Sequence, residues 1–252
     1  MSRPVTLITG ASAGLGVEFA RQCAKRGEPL ALAARRRDRM EALAAELGGD
    51  VHIFEADLAK EGAAASLIAE LGAEGLAVGT LINNAGFGLG GQFADRPLDR
   101  LSEMIELNVR ALTELCHLVL PDMRERKAGA ILNVASTAAF QPGPNMAVYY
   151  ATKAYVLSFT EALHHELKGT GIRVSALCPG PTHSEFSDVA DSHSPTLERM
   201  KMPAAPVVAA GLDGLDRNKA VVIPGFKNKV GAQMSRLLPR STMRNIIGRI
   251  KV

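Results

Sequence analysis

Tryptophan is absent from these 252 residues, tyrosine occurs three times, and all aromatic residues together make up 4% of the chain. Binding to single-stranded nucleic acid needs aromatic side chains among basic ones. With so few, and with no recognition module in the sequence, nucleic acid is not expected as a partner. Cysteine is nearly as scarce. Cys23, Cys116 and Cys178 stand far apart in apolar settings, with no C-x-x-C pair and no clustered histidines. That pattern suits neither a disulfide framework nor a bound metal, and predicts reduced core thiols in a cytosolic setting. No apolar run approaches the roughly 18 residues a membrane span requires. An apolar strand beginning by about residue 4 leaves no room for a signal peptide, so a cytoplasmic protein is expected. No Pro/Ser-rich linker or charge block interrupts the chain before its C-terminal region, which predicts one domain over residues 1–252. A chain of this length buries about three quarters of its unfolded surface.

What the chain does contain is an alternation. The apolar runs VTLITG, PLALAAR, VHIFEAD, GTLINNAG, GAILNVAS, GIRVSALCPG and AVVIPG are separated by helical patterns of three or more turns. Apolar strands alternating with helices predict an α/β fold, a Rossmann-like doubly wound parallel sheet of about seven strands with helices on both faces. Right-handed crossovers place all strand C-termini on one rim, where such sheets bind ligands.

Two groups of residues on that rim carry chemistry. In PVTLITGASAGLGVEFARQCAKRG an apolar strand runs into Gly10, Gly14 and Gly16 and then into an amphipathic helix. Such a turn brings backbone N–H groups and a helix N-terminus up to a pyrophosphate. The spacing GxxxGxG differs from the commoner GxGxxG, but the strand, turn and helix context is the one that gives these motifs meaning. Further on, Tyr149 and Lys153 stand four residues apart in a helical segment, and Ser136 closes a strand thirteen residues upstream of Tyr149. The i, i+4 spacing sets phenol and ammonium on one helix flank. Lowering a phenol from about 10 to neutrality takes about 4 kcal/mol, which one ammonium about 4 Å away supplies at an effective dielectric near 20. Taken alone, such a pair also occurs by chance on many helices.

Taken together, these residues resemble the short-chain dehydrogenase/reductase family over nearly the whole chain. Thr9-Gly10-x-x-x-Gly14-x-Gly16 matches the family's cofactor turn, Asn83-Asn84-Ala85-Gly86 its NNAG signature, and Tyr149-x-x-x-Lys153 its active-site helix. Asn108, Ser136 and Pro179-Gly180 follow at the expected intervals. The resemblance implies an oxidoreductase that passes a hydride between a nicotinamide and a carbonyl or secondary alcohol, with Asn108, Ser136, Tyr149 and Lys153 as the catalytic set. Tyr149 would be the general acid or base. Lys153 would hold the nicotinamide ribose, Ser136 the substrate oxygen, and Asn108 a water leading from Lys153 to solvent; a packing or helix-kink asparagine is the plainer reading of Asn108. Implied cofactor contacts are Gly10, Ser12, Gly14, Leu15, Gly16, Asn84, Ala85, Gly86, Tyr149 and Lys153. Asp57 and Leu58 would border the adenine, and Pro179, Gly180 and Thr182 the nicotinamide carboxamide. The resemblance also implies a homodimer or homotetramer. A dinucleotide-binding regulator or scaffold without chemistry is the alternative, and the complete catalytic set speaks against it.

Charge argues for the form of the cofactor. About twenty residues past Gly16, where an NAD enzyme places an acid, the chain reads AARRRDRM, with Arg35 and Arg36 at the strand end and the first acid, Asp38, inside the next helix. Paired guanidiniums suit a 2′-phosphate, so NADP(H) is expected over NAD(H), with Ser12 adding a hydroxyl.

The polar stretch from about residue 183 to 203 reads as a substrate lid, with His183 and His193 as surface residues. Gly86 to Gly90, with Phe140, Gln141, Pro142 and Met146, would line a mostly apolar cavity suited to a lipophilic small molecule. Tyr150 is expected to pack or line the pocket. From Arg217 onward there are nine Lys/Arg and no Asp/Glu, interleaved with apolar residues over about 226–252. This basic amphipathic piece is expected to cover the pocket or sit in a subunit contact, with attachment to an anionic membrane surface ranked behind.

Overall fold

In the computed structural model, residues 2–191 and 194–249 are described; His193 lies outside them. Each of the seven apolar runs forms a strand: β1 Arg3–Thr9, β2 Leu30–Ala34, β3 Val51–Glu55, β4 Leu76–Asn83, β5 Gly129–Val134, β6 Ile172–Leu177 and β7 Val221–Val222. They pair in parallel in the order β3-β2-β1-β4-β5-β6-β7. The order reverses between β1 and β4, whose C-terminal ends carry the glycine turn and the NNAG segment, so the switch point lies between the two motifs.

Because strand side chains alternate, each central strand feeds two cores. Val5, Leu7, Leu81 and Ile131 face a layer made by α3 Ala63–Ala73, α5 Leu112–Arg126 and α6 Ala147–Glu166. Ile8, Ile82 and Leu132 face α1 Gly14–Lys25, α2 Arg37–Leu47 and α9 Ala204–Asp216. Continuous apolar strands are what a sheet covered on both faces requires. The short helix α4 Leu98–Ile105 runs through a π-helical turn, Glu106–Ala111, into α5. The connection from β6 to α9 carries two single-turn helices, α7 Phe186–Val189 and α8 Pro195–Glu198, and α10 Phe226–Leu237 and α11 Arg240–Gly248 follow β7.

A polar seam ties the site's floor together. Asn83 and Asn133 face each other across β4 and β5. Asn83 donates to Asn133 at 2.9 Å and Asn133 to Thr160 of α6 at 3.0 Å. Buried amides bonded in this way fix the register between strands and helix, because each would be costly left unpaired. The seam thereby sets where α6 presents Tyr149 and Lys153.

Candidate active site

Two interlocked turns form the dinucleotide side of the site. Thr9, the last residue of β1, accepts hydrogen bonds at Oγ1 from the backbone N–H of Asn84 and of Ala85, both at 3.0 Å. The Asn84 amide donates to the carbonyl oxygens of Thr9 at 2.9 Å and Gly10 at 3.3 Å. The approach is so close that a Cβ on Gly16 would sit 2.1 Å from the Gly10 oxygen, and one on Gly10 would sit 2.9 Å from the Ala85 Cα. Gly10 and Gly14 also adopt φ of +65° and +53°, which favours glycine there. Ala13 has no side chain with which to cap α1, and the N–H groups of Gly14 and Leu15 have no partner among the described residues. Unsatisfied N–H groups at the start of a twelve-residue helix suit an anion such as a pyrophosphate. The chain's own residues therefore fit a dinucleotide.

At the end of β2 the two arginines diverge. Arg36 turns back to the glycine turn, its Nε donating to Ser12 Oγ at 3.2 Å and its Nη2 to the Ser12 carbonyl at 3.4 Å. Arg35 instead pairs with Glu103 at 3.4 Å and lines a polar cavity of about 520 Å³ with Asp57, Glu55 and Lys60. Asp57 thus reaches that cavity, whereas the Leu58 side chain is buried in the core.

The chemical side lies across β5 and α6. Tyr149 and Lys153 are nearly buried, at 8% and 6% exposed. Lys153 Nζ stands 5.9 Å from the Tyr149 ring centroid and donates to the Val134 carbonyl at 2.8 Å, the last residue of β5. A Cβ on Gly86 would lie 2.8 Å from Asn108 Oδ1 and 3.5 Å from Lys153 Nζ, so the NNAG segment, Asn108 and Lys153 meet at one point. Asn108 sits in the π-helical turn and grips Phe87 from both sides, accepting from its N–H at 3.1 Å and donating to its carbonyl at 2.9 Å. Its amide also donates to Thr152 of α6 at 3.1 Å. The geometry gives Asn108 a positioning role between β4 and α6. Ser136 accepts at Oγ from the Ala138 N–H at 3.1 Å, which turns the chain after β5 toward the site.

The expected lowering of the phenol is not what the protein alone produces. Burial pushes Tyr149 up to about 12, opposed by a hydrogen bond from Ser136. Burial likewise pulls Lys153 down to about 8. Removing water disfavours the charged form of each, and burial is the largest cause of both shifts. A consequence is measurable. Between pH 8 and the ordinary lysine value of 10.5 the unfolded chain holds more protons than the folded one, so stability rises with pH across that window. The increment is lost as pH falls through 8. Urea unfolding of the parent and of Lys153→Met should therefore diverge by about 3 kcal/mol over this range, with the parent gaining; parallel curves would show an ordinary lysine.

Several site residues escaped sequence reasoning, and all come from distant segments. Ser184 lies over the glycine turn, its Cβ 3.0 Å from where a Gly14 Cβ would stand. The Glu185 carboxylate bridges Arg36 at 3.0 Å and Arg39 at 2.6 Å, and these guanidiniums hold it below the usual carboxylate range. Phe186 packs on the Tyr149 ring with centroids 5.2 Å apart. The connection after β6 is pinned at its neck, where His183 N–H donates to the Met202 carbonyl at 3.0 Å and Met202 N–H to the Pro181 carbonyl at 2.9 Å. Thr182 bonds within its own loop, to the Gly180 carbonyl at 2.9 Å. Thr137 N–H donates to the Pro179 carbonyl at 2.8 Å, and Asn228 of α10 backs Gly180 so closely that a Cβ there would be 2.5 Å away. The C-terminal segment thus meets the loop after β6 through Asn228.

The side chains packed around Tyr149 are apolar: Phe87, Leu101, Met104, Met146, Ala190 and Phe186. Phe140, Gln141 and Pro142 were expected there too, but they line a separate groove of about 370 Å³ with Tyr150 and Arg240. Tyr150 follows Tyr149 by one residue, about 100° around the helix, and so faces that groove.

The family model described as short chain dehydrogenase matches residues 4–194. Sulfoacetaldehyde reductase 2 of Chromohalobacter salexigens is 42% identical over 187 residues, covering 73% of this chain and 74% of that one. The very-long-chain 3-oxoacyl-CoA reductase of Anas platyrhynchos is 32% identical over 250 residues, covering 96% of this chain and 78% of that one. Among solved structures, a short-chain dehydrogenase from Sphingobium yanoikuyae in complex with NADPH superposes with a TM-score of 0.82 at 35% identity, covering 93% of this chain and 95% of that one.

Proposed function

The chain belongs to the short-chain dehydrogenase/reductase family of oxidoreductases, and from that premise we propose that it interconverts a lipophilic carbonyl compound and its secondary alcohol with NADP(H), Tyr149 serving as acid or base. A nicotinamide dinucleotide in this cradle supplies or accepts the hydride. Tyr149 holds its proton at the phenolic oxygen, since burial keeps it neutral, and a neutral phenol is the form that donates to a carbonyl oxygen during reduction. Ser136 orients that oxygen, and Lys153, held by the Val134 carbonyl, lowers the cost of the phenolate left behind. Phe186 and Met146 help to exclude water from the reacting atoms.

The observation that carries this reading is the meeting of Gly86, Asn108 and Lys153 beside Tyr149, on the rim that also bears the glycine turn. NADP(H) over NAD(H) is supported by Arg36, which already contacts Ser12 of that turn. The NADPH complex of the Sphingobium yanoikuyae relative agrees. Apolar side chains around Tyr149 support a lipophilic substrate, as does the very long acyl chain in the name of one relative. We place the protein in the cytoplasm as a homodimer or homotetramer. The test is NADPH consumption with a panel of ketones and aldehydes graded from apolar to charged. The apolar members should turn over fastest, and a preference for the charged ones would remove the substrate class.

A further inference from the structure

The C-terminal helices carry a surface that the oxidoreductase reading leaves unused. On α10, Phe226, Val230, Met234 and Leu237 fall on one stripe at helical spacing. All four are exposed, Phe226 at 81% and Leu237 at 82%, although fully burying one such side chain is worth about tenfold to a hundredfold in affinity. The opposite side of the helix is occupied: Ala232 is buried, Asn228 backs Gly180, and α10 packs on the turn Thr137–Phe140. The helix is therefore docked by one face and offers its apolar stripe outward. Ile246 of α11, 44% exposed, adds to the apolar surface of this segment, while Met243 anchors α11 to the body.

Charge selects the partner. Lys227 and Lys229 flank the stripe, Arg240 and Arg244 follow on α11 and Arg249 lies at its C-terminal cap; all five are exposed. Among the described residues none of them has an acidic partner, whereas arginines elsewhere are mostly paired, as Arg21 with Glu46, Arg26 with Asp216 and Arg173 with Asp216. No Asp or Glu occurs from Arg217 onward. A two-fold contact between copies through this face would set the same cationic flanks against each other. A stripe of apolar side chains edged by cations on a helix lying flat is instead the pattern that sinks into a headgroup layer and holds anionic lipids beside it.

We propose that α10 and α11 form a docking face for an anionic membrane surface. No helix among the described residues is long and apolar enough to cross a membrane, so attachment is peripheral. Lying flat, the stripe enters the acyl boundary while the Lys and Arg side chains stay at the headgroups. The groove lined by Phe140, Pro142, Tyr150 and Arg240 shares Arg240 with this face, so the attached protein would hold it near the bilayer.

Sedimentation of the full chain with vesicles tests this independently of turnover. Vesicles of phosphatidylcholine containing phosphatidylglycerol should bind the protein, and pure phosphatidylcholine should bind it about tenfold or more weakly. Raising the salt should release the protein from the anionic vesicles. Phe226→Glu with Leu237→Glu should abolish binding, and Lys227→Gln with Lys229→Gln should weaken it about tenfold, with the thermal melting and NADPH binding of both variants unchanged. Failure of the parent to bind, or binding that survives both double variants, would overturn the proposal. So would a parent that ignores vesicles and whose sedimenting mass halves in the Phe226→Glu, Leu237→Glu variant, since the stripe would then be a contact between copies.

Discussion

Tyr149→Phe should lower carbonyl-dependent NADPH oxidation by about a thousandfold or more while NADPH affinity stays within a few-fold of the parent. The change removes one oxygen from a buried side chain whose ring packs between Phe186 and Tyr150, so the cavity keeps its shape and only the proton donor is lost. No substitute is close: Tyr150 faces the other groove, and Lys153 is committed to the Val134 carbonyl. Binding of NADPH followed by fluorescence in the same variant separates the two effects. A near-normal turnover would remove Tyr149 from the chemistry, whereas loss of turnover together with NADPH affinity would point to a collapsed site.

The second large effect concerns the cofactor's phosphate. Arg36→Ala should weaken NADPH about tenfold to a hundredfold and leave NADH nearly unchanged, since charge-assisted hydrogen bonds to a phosphate are worth about 1.5 to 3 kcal/mol. The structure adds a competitor. Glu185 holds Arg36 and Arg39 at 3.0 Å and 2.6 Å, so its carboxylate and a 2′-phosphate would claim the same guanidinium. Glu185→Gln should accordingly tighten NADPH several-fold without changing NADH. Calorimetric titration of both cofactors into parent and variants reads the ratio directly. Equal losses for NADPH and NADH in Arg36→Ala would mean that this arginine only shapes the turn. Arg35 is the weaker candidate, because it leans toward Glu103 on α4.

What could be read from the sequence was whatever the chain encodes locally or in repeated periods. All seven strands form where apolar runs meet turn residues, and Asp38 falls inside α2 as expected. The glycine turn, the NNAG segment and the Tyr149 helix converge because a parallel sheet with one-handed crossovers leaves them no other rim. What could not be read depends on contacts between residues far apart in the chain. Glu185 meets Arg36 across 149 positions; the neighbourhood of Arg36 marks the arginine, but nothing around Glu185 marks its partner. The same holds for Ser184 over Gly14 and for Asn228 behind Gly180. Asn108 shows the middle case: its place in the chain marked it, but its grip on Phe87 depends on a π-helical turn that no periodicity in ELNVRA announces. The Tyr149 pKa departs from the expected direction because a helix spacing reports the nearby ammonium and not the dryness around both groups.

The central claim is that a hydride moves between NADPH and a substrate carbon at Tyr149. It is tested most directly by following a deuterium label from C4 of NADPH into the product of an apolar ketone by mass spectrometry. The account predicts one deuterium on the new carbinol carbon, formed by the parent and not by Tyr149→Phe. Tight NADPH binding with no labelled alcohol from any ketone or aldehyde would contradict it and leave a dinucleotide-binding protein without chemistry.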